Sequence, residues 1–370
     1  MHRTTLYLFG TSALTCALIV GSSLQGCRDN TAPGFGGSTG AGASSSTTTT
    51  TSSSTTGAGG GVAALDRTIQ QITNPSDPNY VTNAYVKLSG VVAMSAKFEV
   101  SKSKSSGACL WGVFVSAPGL TTTGPNTGLL VVNEGTPATA SGDAGTVYCP
   151  VPQAGMPAGD LFPDDTAPGD VFDIVGETTS YVPSTCGSPD AAPPDNSNVA
   201  QYQLTKLTTV TRTSKGGPVP TPAVLTDAEA TAIAAGTDKS TLAQWGGVKV
   251  TVQNVTAVLQ EGMTFDSYGH MLMDDGLQVG DKLYYVGYLK ATDSCYNGPG
   301  FTKTTPQFTS VSGFVYLDYC TWGLSPESKC TDLTPPSNDC VTPATWDGGA
   351  DAGDPCSGPD AGPTASVCCY

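Results

Sequence analysis

Residues 245–256 of the chain read Trp-Gly-Gly-Val-Lys-Val-Thr-Val-Gln-Asn-Val-Thr. Val248, Val250 and Val252 alternate with polar residues, and this two-residue period is typical of a β-strand with one buried and one solvated face. Similar short runs, rich in valine and threonine and separated by Gly, Pro, Asn and Asp, recur over most of the sequence. The pattern predicts an all-β protein.

Further strands are expected on both sides of this run. They are predicted at residues 85–93, 110–116, 128–133, 171–175, 202–211, 248–258, 270–273, 282–288 and 309–319. One clear helix signal lies between the two groups of strands, because Thr226 and Glu229 form a capping-box pattern and Gly236 follows as a stop. A second short helical piece is expected to end at Trp245.

Two segments of the chain match each other. Residues 169–176 read Gly-Asp-Val-Phe-Asp-Ile-Val-Gly, and residues 280–287 read Gly-Asp-Lys-Leu-Tyr-Tyr-Val-Gly. This match indicates a duplicated β unit. A rival alignment pairs residues 169–176 with residues 308–314, which follow the pattern Phe-x-x-Val-x-Gly-Phe.

These motifs, together with Leu-Ser-Pro-Glu-Ser at residues 324–328, resemble the tandem OB-fold-type β-barrel modules that lie beside catalytic domains in secreted bacterial nucleases. The run at 245–256 is similar to the first strand of such a module. The resemblance covers about residues 80–335 and implies two OB-like, Greek-key barrels or sandwiches, predicted at 65–217 and 218–335, with a short helical connection. The sequence has no counterpart of the nuclease catalytic domain, so the resemblance implies a fold and not an activity.

The beginning of the chain is typical of an export signal. Its apolar run has about 15 residues, fewer than the roughly 18 that a membrane-spanning helix needs. The run leads into Leu24-Gln25-Gly26-Cys27, which resembles the lipobox of bacterial lipoproteins. The resemblance implies a signal peptide at 1–26, acylation of Cys27 and an extracytoplasmic place in the cell envelope, with the outer membrane as the expected site. An ordinary secretory signal with an incidental cysteine is the alternative.

Two segments are predicted not to fold. Residues 27–64 contain the lipidated N-terminus and a Gly/Ser/Thr linker, which cannot bury enough apolar surface to fold. Its root-mean-square reach is about 30 Å by polymer statistics. Residues 336–370 form an acidic tail that contains cysteines and has neither Lys nor Arg.

The cysteines indicate a disulfide framework. There are twelve, and ten remain when Cys16 of the leader and the acylated Cys27 are set aside. An even number in an exported chain favours disulfides, and the Cys-x-x-Cys and Cys/His pairs of zinc sites are missing. The pairing stays open among Cys109, Cys149, Cys186, Cys295, Cys320, Cys330, Cys340, Cys356, Cys368 and Cys369.

The formal net charge of -15 disfavours a nucleic-acid partner, because phosphate backbones are repelled by such a surface. A single basic-aromatic patch is nevertheless present. Rings beside cations hold single strands in OB barrels and can also contact sugars. The candidate ligand-binding residues are Lys97, Phe98, Lys102 and Lys104, with Tyr284, Tyr285 and Tyr288 in the second unit; sheet core is the alternative for the rings.

The sequence contains no catalytic constellation. His270 is the single histidine after the leader, with Asp266, Asp274 and Asp275 as nearby candidates, but no Gly-x-Ser-x-Gly turn occurs. Ser101-x-x-Lys104 lacks the partner motifs of penicillin-recognising enzymes. Acidic clusters at 164–173, 274–275 and 347–354 offer oxygen ligands without the spacing of a calcium loop. We therefore predict no catalytic residue, no metal and no cofactor.

Together these features predict a membrane-tethered, extracytoplasmic lipoprotein. We expect it to act as a non-enzymatic binding or structural module, with an envelope or extracellular ligand that the sequence does not identify. The alternative is an accessory OB-fold nucleic-acid-binding subunit that works with a separate nuclease or hydrolase.

Overall fold

The strands of the first half of the chain close into a barrel. The structure is a computed structural model that describes residues 31–32, 63–103, 105–141, 146–149, 157–182, 186, 199–260, 262, 270–280, 282–283, 305–318, 320–328 and 331–335. The predicted signal peptide, Cys27, nearly all of the linker and the tail at 336–370 lie outside the described residues. Among the described residues, no helix is long and apolar enough to cross a bilayer.

The described residues of the first half form one helix, α1 (Ile69–Thr73), and ten strands. The strands are β1 (Thr31–Ala32), β2 (Leu65–Asp66), β3 (Tyr85–Ala93), β4 (Phe98–Ser103), β5 (Ala108–Ser116), β6 (Gly128–Pro137), β7 (Thr139–Ser141), β8 (Thr146–Tyr148), β9 (Val171–Tyr181) and β10 (Gln201–Ser214). Five of them pair in the ring order β3, β5, β6, β10, β9 and back to β3. Only β6 and β10 run parallel within this ring. This is the arrangement of an OB-fold barrel, the first barrel of the molecule.

Alternating side chains fill this first barrel. In β9 every second residue from Phe172 to Thr178 is buried, as the two-residue period of a strand requires. The inward residues form a single cluster with Ile69 and Ile72 of α1. The cluster also contains Val86, Leu88, Val113, Val115, Leu129, Val131, Phe172, Ile174 and Leu204.

The second half of the chain repeats this strand order. Its elements are β11 (Ala223–Val224), α2 (Asp227–Ala235), α3 (Lys239–Trp245), β12 (Lys249–Val258), β13 (Met271–Met273), β14 (Gln278–Val279), β15 (Gln307–Asp318), β16 (Thr321–Ser325) and β17 (Leu333–Thr334). The pairings form a second ring in the order β12, β13, β14, β16, β15 and back to β12, and only β14 and β16 run parallel in it. We call this ring the second barrel.

The approach to each barrel is also repeated. A two-residue strand pairs parallel with the first barrel strand in both halves, β2 with β3 and β11 with β12. A threonine with a capping box then starts a helix, Thr68 before α1 and Thr226 before α2. The duplication expected from the sequence is therefore seen in the topology.

The alignment of the two units differs from the one that the sequence favoured. In chain order, β9, which contains residues 171–176, is the fourth of the five strands of the first ring, and β15, which contains residues 308–314, is the fourth of the five strands of the second. The rival alignment thus matches the topology. Residues 284–287 of the favoured alignment lie outside the described residues.

The two barrels share an aromatic cluster. The rings of Phe114 in β5 and Phe314 in β15 stack with centroids 4.3 Å apart and 8° between their planes. All nine residues of β5 are buried: Val113 and Val115 face the interior of the first barrel, and Leu110 and Phe114 face the second barrel. Cys109 and Trp111 pack in a small cluster with Cys149 and Ala158. The shared cluster contains Met94, Phe98, Leu110, Phe114, Leu130 and Val132 of the first half with Leu283, Phe314 and Tyr316 of the second.

The backbones also approach closely beside this cluster. A Cβ atom on Gly128 would lie 2.3 Å from the carbonyl oxygen of Gly247, so only glycine fits at residue 128. The chain before β10 reaches into the second barrel, where Trp322 Nε1 donates a hydrogen bond of 3.1 Å to Val199 O. Leu317 N donates one of 3.0 Å to Gln201 Oε1. All described residues consequently fall in one compact unit.

Two disulfides brace the structure, as the sequence predicted. Cys109 pairs with Cys149 within the first barrel, and Cys186 pairs with Cys320 between the two halves. The all-β class and the disulfide bracing are confirmed. The remaining six candidates lie outside the described residues: Cys295, Cys330, Cys340, Cys356, Cys368 and Cys369.

Candidate functional site: a cleft on the second barrel

Lys97, the first member of the predicted ligand-binding patch, is buried. Its side chain is 2% exposed, and Nζ lies 2.7 Å from Asp160 Oδ1 and 2.5 Å from Asp164 Oδ1. Nζ also donates to Phe162 O at 3.1 Å and lies over the ring of Trp111. Lys97 therefore pairs with the fully buried carboxylate of Asp160 and with the partly exposed carboxylate of Asp164.

Of the other members of that patch, the structure describes Phe98 and Lys102. Phe98 is buried in the shared aromatic cluster, stacked on Phe114 at 5.4 Å. Adjacent residues of an extended chain point to opposite sides, which separates the Phe98 ring from the Lys97 ammonium. Lys102 is half-buried on β4. The remaining residues, Lys104, Tyr284, Tyr285 and Tyr288, lie outside the described residues.

The face that OB barrels commonly use for ligands is covered in the first barrel. That face belongs to the second and third strands of the ring. Here these strands are β5 and β6, and their outward side chains pack against Phe314 and Tyr316 of the second barrel. Intramolecular packing thus occupies this face of the first barrel.

The acidic cluster near residues 164–173 is engaged in local pairing. Asp165 accepts from Arg212 at 2.7 Å and from Lys215 at 2.5 Å, and these hydrogen bonds hold the pKa of Asp165 well below its ordinary value. Asp170 Oδ2 lies 3.2 Å from Arg212 Nε, and Asp173 Oδ1 accepts from Gly90 N. Among the described residues, no three His, Cys, Asp or Glu side chains are arranged to hold a metal ion.

His270 pairs with a carboxylate that sequence reasoning missed. Its Nε2 lies 3.3 Å from Asp318 Oδ2 at the end of β15. The two residues are 48 positions apart, so only the register of the second ring reveals the pair. Asp266 lies outside the described residues, whereas Asp274 and Asp275 lie in the cleft described next.

An open cleft of about 320 Å³ lies where three elements of the second half meet. The first turn of α2 forms one wall, the middle of β12 forms the floor, and the turn between β13 and β14 forms the opposite wall. The lining residues are Leu225, Thr226, Asp227, Ala230, Val252, Gln253, Asn254, Val255, Asp274 and Asp275.

A break in the alternation of β12 creates the floor. Asn254 has φ +56°, a left-handed conformation that asparagine tolerates better than most residues. Gln253 and Asn254 are both exposed, and Val252 and Val255 on either side of them are both buried. The strand consequently presents two polar side chains above an apolar base.

Local hydrogen bonds fix the walls. Thr226 caps α2 and places Asp227 in its first turn, while Leu225 and Ala230 beside it are buried. In the opposite wall, Asp274 Oδ1 accepts from Thr256 N at 3.0 Å, and Asp275 Oδ1 accepts from Leu277 N at 2.9 Å. The carboxylates are thus held in place by backbone groups.

The cleft carries negative charge that no described cation neutralises. Asp227, Asp274 and Asp275 form no salt bridge with a described Lys, Arg or His. Burial is the main reason that the pKa of Asp275 is raised; the hydrogen bond from Leu277 N opposes this effect, and the charges of Asp274 and Asp227 add to it. An arrangement of this kind attracts a positively charged group.

Comparison of the chain with protein-family models, curated proteins and solved structures finds no match. The function is therefore inferred from the geometry of the chain. The sequence analysis had identified Asp274 and Asp275, but only as an acidic cluster without the spacing of a calcium loop. It missed Asp227 and the Asn254 break, because their proximity arises from the register of the barrel.

Proposed function

We propose that this chain is a lipid-anchored, extracytoplasmic protein of a bacterial cell envelope with a non-enzymatic binding role. In this proposal two firmly joined barrels hold the cleft of the second barrel away from the membrane. The observation that carries it is the joining of the barrels, by the stack of Phe114 on Phe314 and by the Cys186–Cys320 disulfide. Two barrels that are joined in this way are better suited to presenting a binding site than to a catalytic cycle that requires domain motion.

The proposed location is supported by two independent features. Disulfides persist in oxidising, extracytoplasmic compartments, and two are present among the described residues. The Leu-Gln-Gly-Cys ending of the leader, at residues 24–27, supplies a thiol for acylation, and the Gly/Ser/Thr linker after it supplies a spacer. A lipid anchor, a spacer and a folded display unit follow one another along the chain.

A binding role is favoured over catalysis by the surroundings of the reactive side chains. Ser101 is buried, the ring of His270 lies beside Asp318, and Gln260 Nε2 donates to the backbone carbonyl of His270. Neither arrangement presents an activated nucleophile at the cleft.

The second candidate is an accessory subunit that presents nucleic acid to a separate nuclease or hydrolase. The OB-like strand order favours it. The covered face of β5 and β6 and the net charge of -15 weigh against it. A gel shift with single-stranded DNA distinguishes the two candidates: binding at low salt that disappears as salt rises would favour the accessory subunit.

The anchor is tested by fractionating cells that express the Cys27→Ser chain. We expect this variant to leave the membrane fraction with both described disulfides intact, since only a thiol can be acylated. The Cys16→Ser chain is the matched control, because Cys16 lies within the leader, and it should stay with the membranes. Membrane association of the Cys27→Ser chain equal to that of the control would overturn the proposed anchor.

A further inference from the structure

We infer that β1 fastens the linker to the first barrel and thereby holds the β4 side of this barrel at the surface of the membrane. The inference rests on the proposed lipid anchor and specifies the length of its spacer. The features that carry it are the place of β1 in the sheet and the position of Cys27 in the sequence.

Two residues of the linker form a strand at the edge of the first barrel's sheet. Thr31 pairs with Lys102 of β4 and Ala32 pairs with Ser103, and the two strands run parallel. Apart from β1, the only described strand beside β4 is β5, so β4 would otherwise be an open edge. An open edge presents backbone N–H and C=O groups that an extended segment can pair with. Here the chain's own linker supplies that segment.

The end of β1 agrees with the residues that follow it. Pro33 comes directly after Ala32 and has no backbone N–H, so it cannot donate to a ladder. Glycine, which is unfavourable in strands, stands at positions 34, 36 and 37. The composition therefore favours strand pairing in the part of the linker before Pro33, which is the part nearest to the anchor.

Cys27 is close to β1 along the chain. It precedes Thr31 by four residues, and four extended residues span at most about 14 Å. The polar headgroup layer of one leaflet takes up about 5–8 Å of this span. While β1 is paired, the edge of β4 therefore stays within about 10 Å of the headgroup layer.

The Gly/Ser/Thr run lies behind this fastening. Residues 33–64 connect β1 to β2, and β2 pairs with β3 of the first barrel. From β1 to β2 the sheet passes through β4, β5 and β3, which makes four steps of about 4.8 Å, or about 19 Å. A run of this length has a root-mean-square reach of about 30 Å and spans that distance. The run thus connects two strands of one sheet, and its length does not set the distance to the membrane.

The pairing of β1 decides which part of the linker is the spacer. With β1 paired, the spacer is residues 28–30. Release of β1 would extend the spacer to residues 28–64, with a root-mean-square reach of about 30 Å. The paired state holds the first barrel at the membrane, and release lets it move away.

The test is energy transfer between the first barrel and a bilayer. The full, acylated chain is inserted into phosphatidylcholine vesicles that carry an acceptor dye on their headgroups. The donor dye is attached to an azide-bearing amino acid at residue 161, because Leu161 is 45% exposed. Leu161 also follows Asp160, the partner of Lys97 beside β4. We expect strong energy transfer in the parent chain.

The Thr31→Pro/Ala32→Pro chain loses both backbone donors of β1. We expect energy transfer to fall about twofold or more in this variant, because the spacer lengthens. Ser45→Pro/Ser46→Pro is the matched control, since it makes the same change in the middle of the Gly/Ser/Thr run, and it should match the parent chain. Equal transfer in the β1 variant and the parent chain, or an equal loss in the control, would overturn the fastening.

Deletion of residues 44–55 supplies a second measurement. It should raise energy transfer in the β1 variant, where the run is part of the spacer, and leave transfer in the parent chain unchanged. A rise in both chains, or in neither, would contradict the inference. Membrane association is measured in parallel. If it still depends on Cys27, such a result rejects the fastening alone, whereas loss of that dependence rejects the proposed anchor.

Discussion

At the scale of single residues, Lys97 shows that a basic residue of an acidic protein can be buried and pair with carboxylates of the same chain. Its ammonium is enclosed by Asp160, Asp164 and the carbonyl of Phe162. Burial raises the pKa of Asp160, and the hydrogen bond from Lys97 opposes this effect. Sequence reasoning could not find the cluster, since the lysine precedes its carboxylates by more than sixty positions.

Replacing Lys97 with methionine should destabilise the fold strongly. The change leaves the Asp160 carboxylate buried without its cation, and loss of one partner from a buried ion pair costs about 3–5 kcal/mol. The measurement is the free energy of unfolding in urea. Lys215→Met is the control, because Lys215 is exposed and such pairs contribute about 1 kcal/mol or less. Equal losses in the two variants would contradict the interior role of Lys97.

Replacing Asp275 should have the opposite effect on stability at neutral pH: the free energy of unfolding should rise. A carboxyl whose pKa is raised by folding binds its proton more tightly in the folded chain, so its ionised form lowers stability. The penalty is absent below the ordinary aspartate pKa of about 3.9 and grows as pH rises above it. At pH 7 the Asp275→Asn chain should therefore have its unfolding midpoint at a higher urea concentration than the parent chain. Near pH 3 the two midpoints should be the same.

Asp165→Asn is the comparison for this measurement. The hydrogen bonds from Arg212 and Lys215 lower the pKa of Asp165, so its ionised form adds stability above the ordinary pKa. Asp165→Asn should lose stability at pH 7, and the difference from the parent chain should shrink as pH falls. If Asp275→Asn also lost stability at pH 7, this would contradict the destabilising effect assigned to the ionised Asp275 in the cleft.

At the scale of elements, the capping box positions the first turn of α2 beside the cleft. Thr226 and Glu229 exchange hydrogen bonds with each other's backbone. Thr226→Ala should lower the free energy of unfolding by about 1 kcal/mol. Thr231→Ala in the middle of the same helix is the control, because alanine favours helix interiors and no cap is lost. A loss in the control as large as that in Thr226→Ala would contradict the capping role.

Helices and strands could be predicted from the sequence where their pattern lies within one short segment of the chain. The strand expected at 85–93 matches β3, and the capping box identified α2. The helix α1 was missed, because its five residues are too few to show a helical period. The full burial of β5 could not be predicted, because its outer face is covered by strands about 200 residues further along the chain.

The cleft was less predictable than the elements that build it. Its floor depends on the left-handed Asn254, and its charge depends on bringing Asp227 next to Asp274 and Asp275 across the second barrel. A pattern of residue types contains neither fact. Spacing along the chain can suggest acidic residues, but only the strand register shows which of them share a cleft.

At the scale of the whole molecule, the two barrels form one unit. Three kinds of contact join them: the shared aromatic cluster, the hydrogen bonds of Val199 and Gln201, and the Cys186–Cys320 disulfide. Ala96 N adds a hydrogen bond of 2.8 Å to Glu327 Oε1. Because of this joining, the outer face of β5 and β6 stays covered.

The most direct test is hydrogen exchange of the intact, oxidised chain, measured by mass spectrometry on peptides from β5 and β15. In the parent chain both strands should exchange slowly, because their amides exchange only when the hydrogen bonds of each barrel open, and the shared cluster couples the opening of the two barrels. Phe314→Ala removes one ring of the 4.3 Å stack and should cost about 3–5 kcal/mol. The account predicts that this variant accelerates exchange in β5 and β15 together; faster exchange in β15 with β5 unchanged would contradict it.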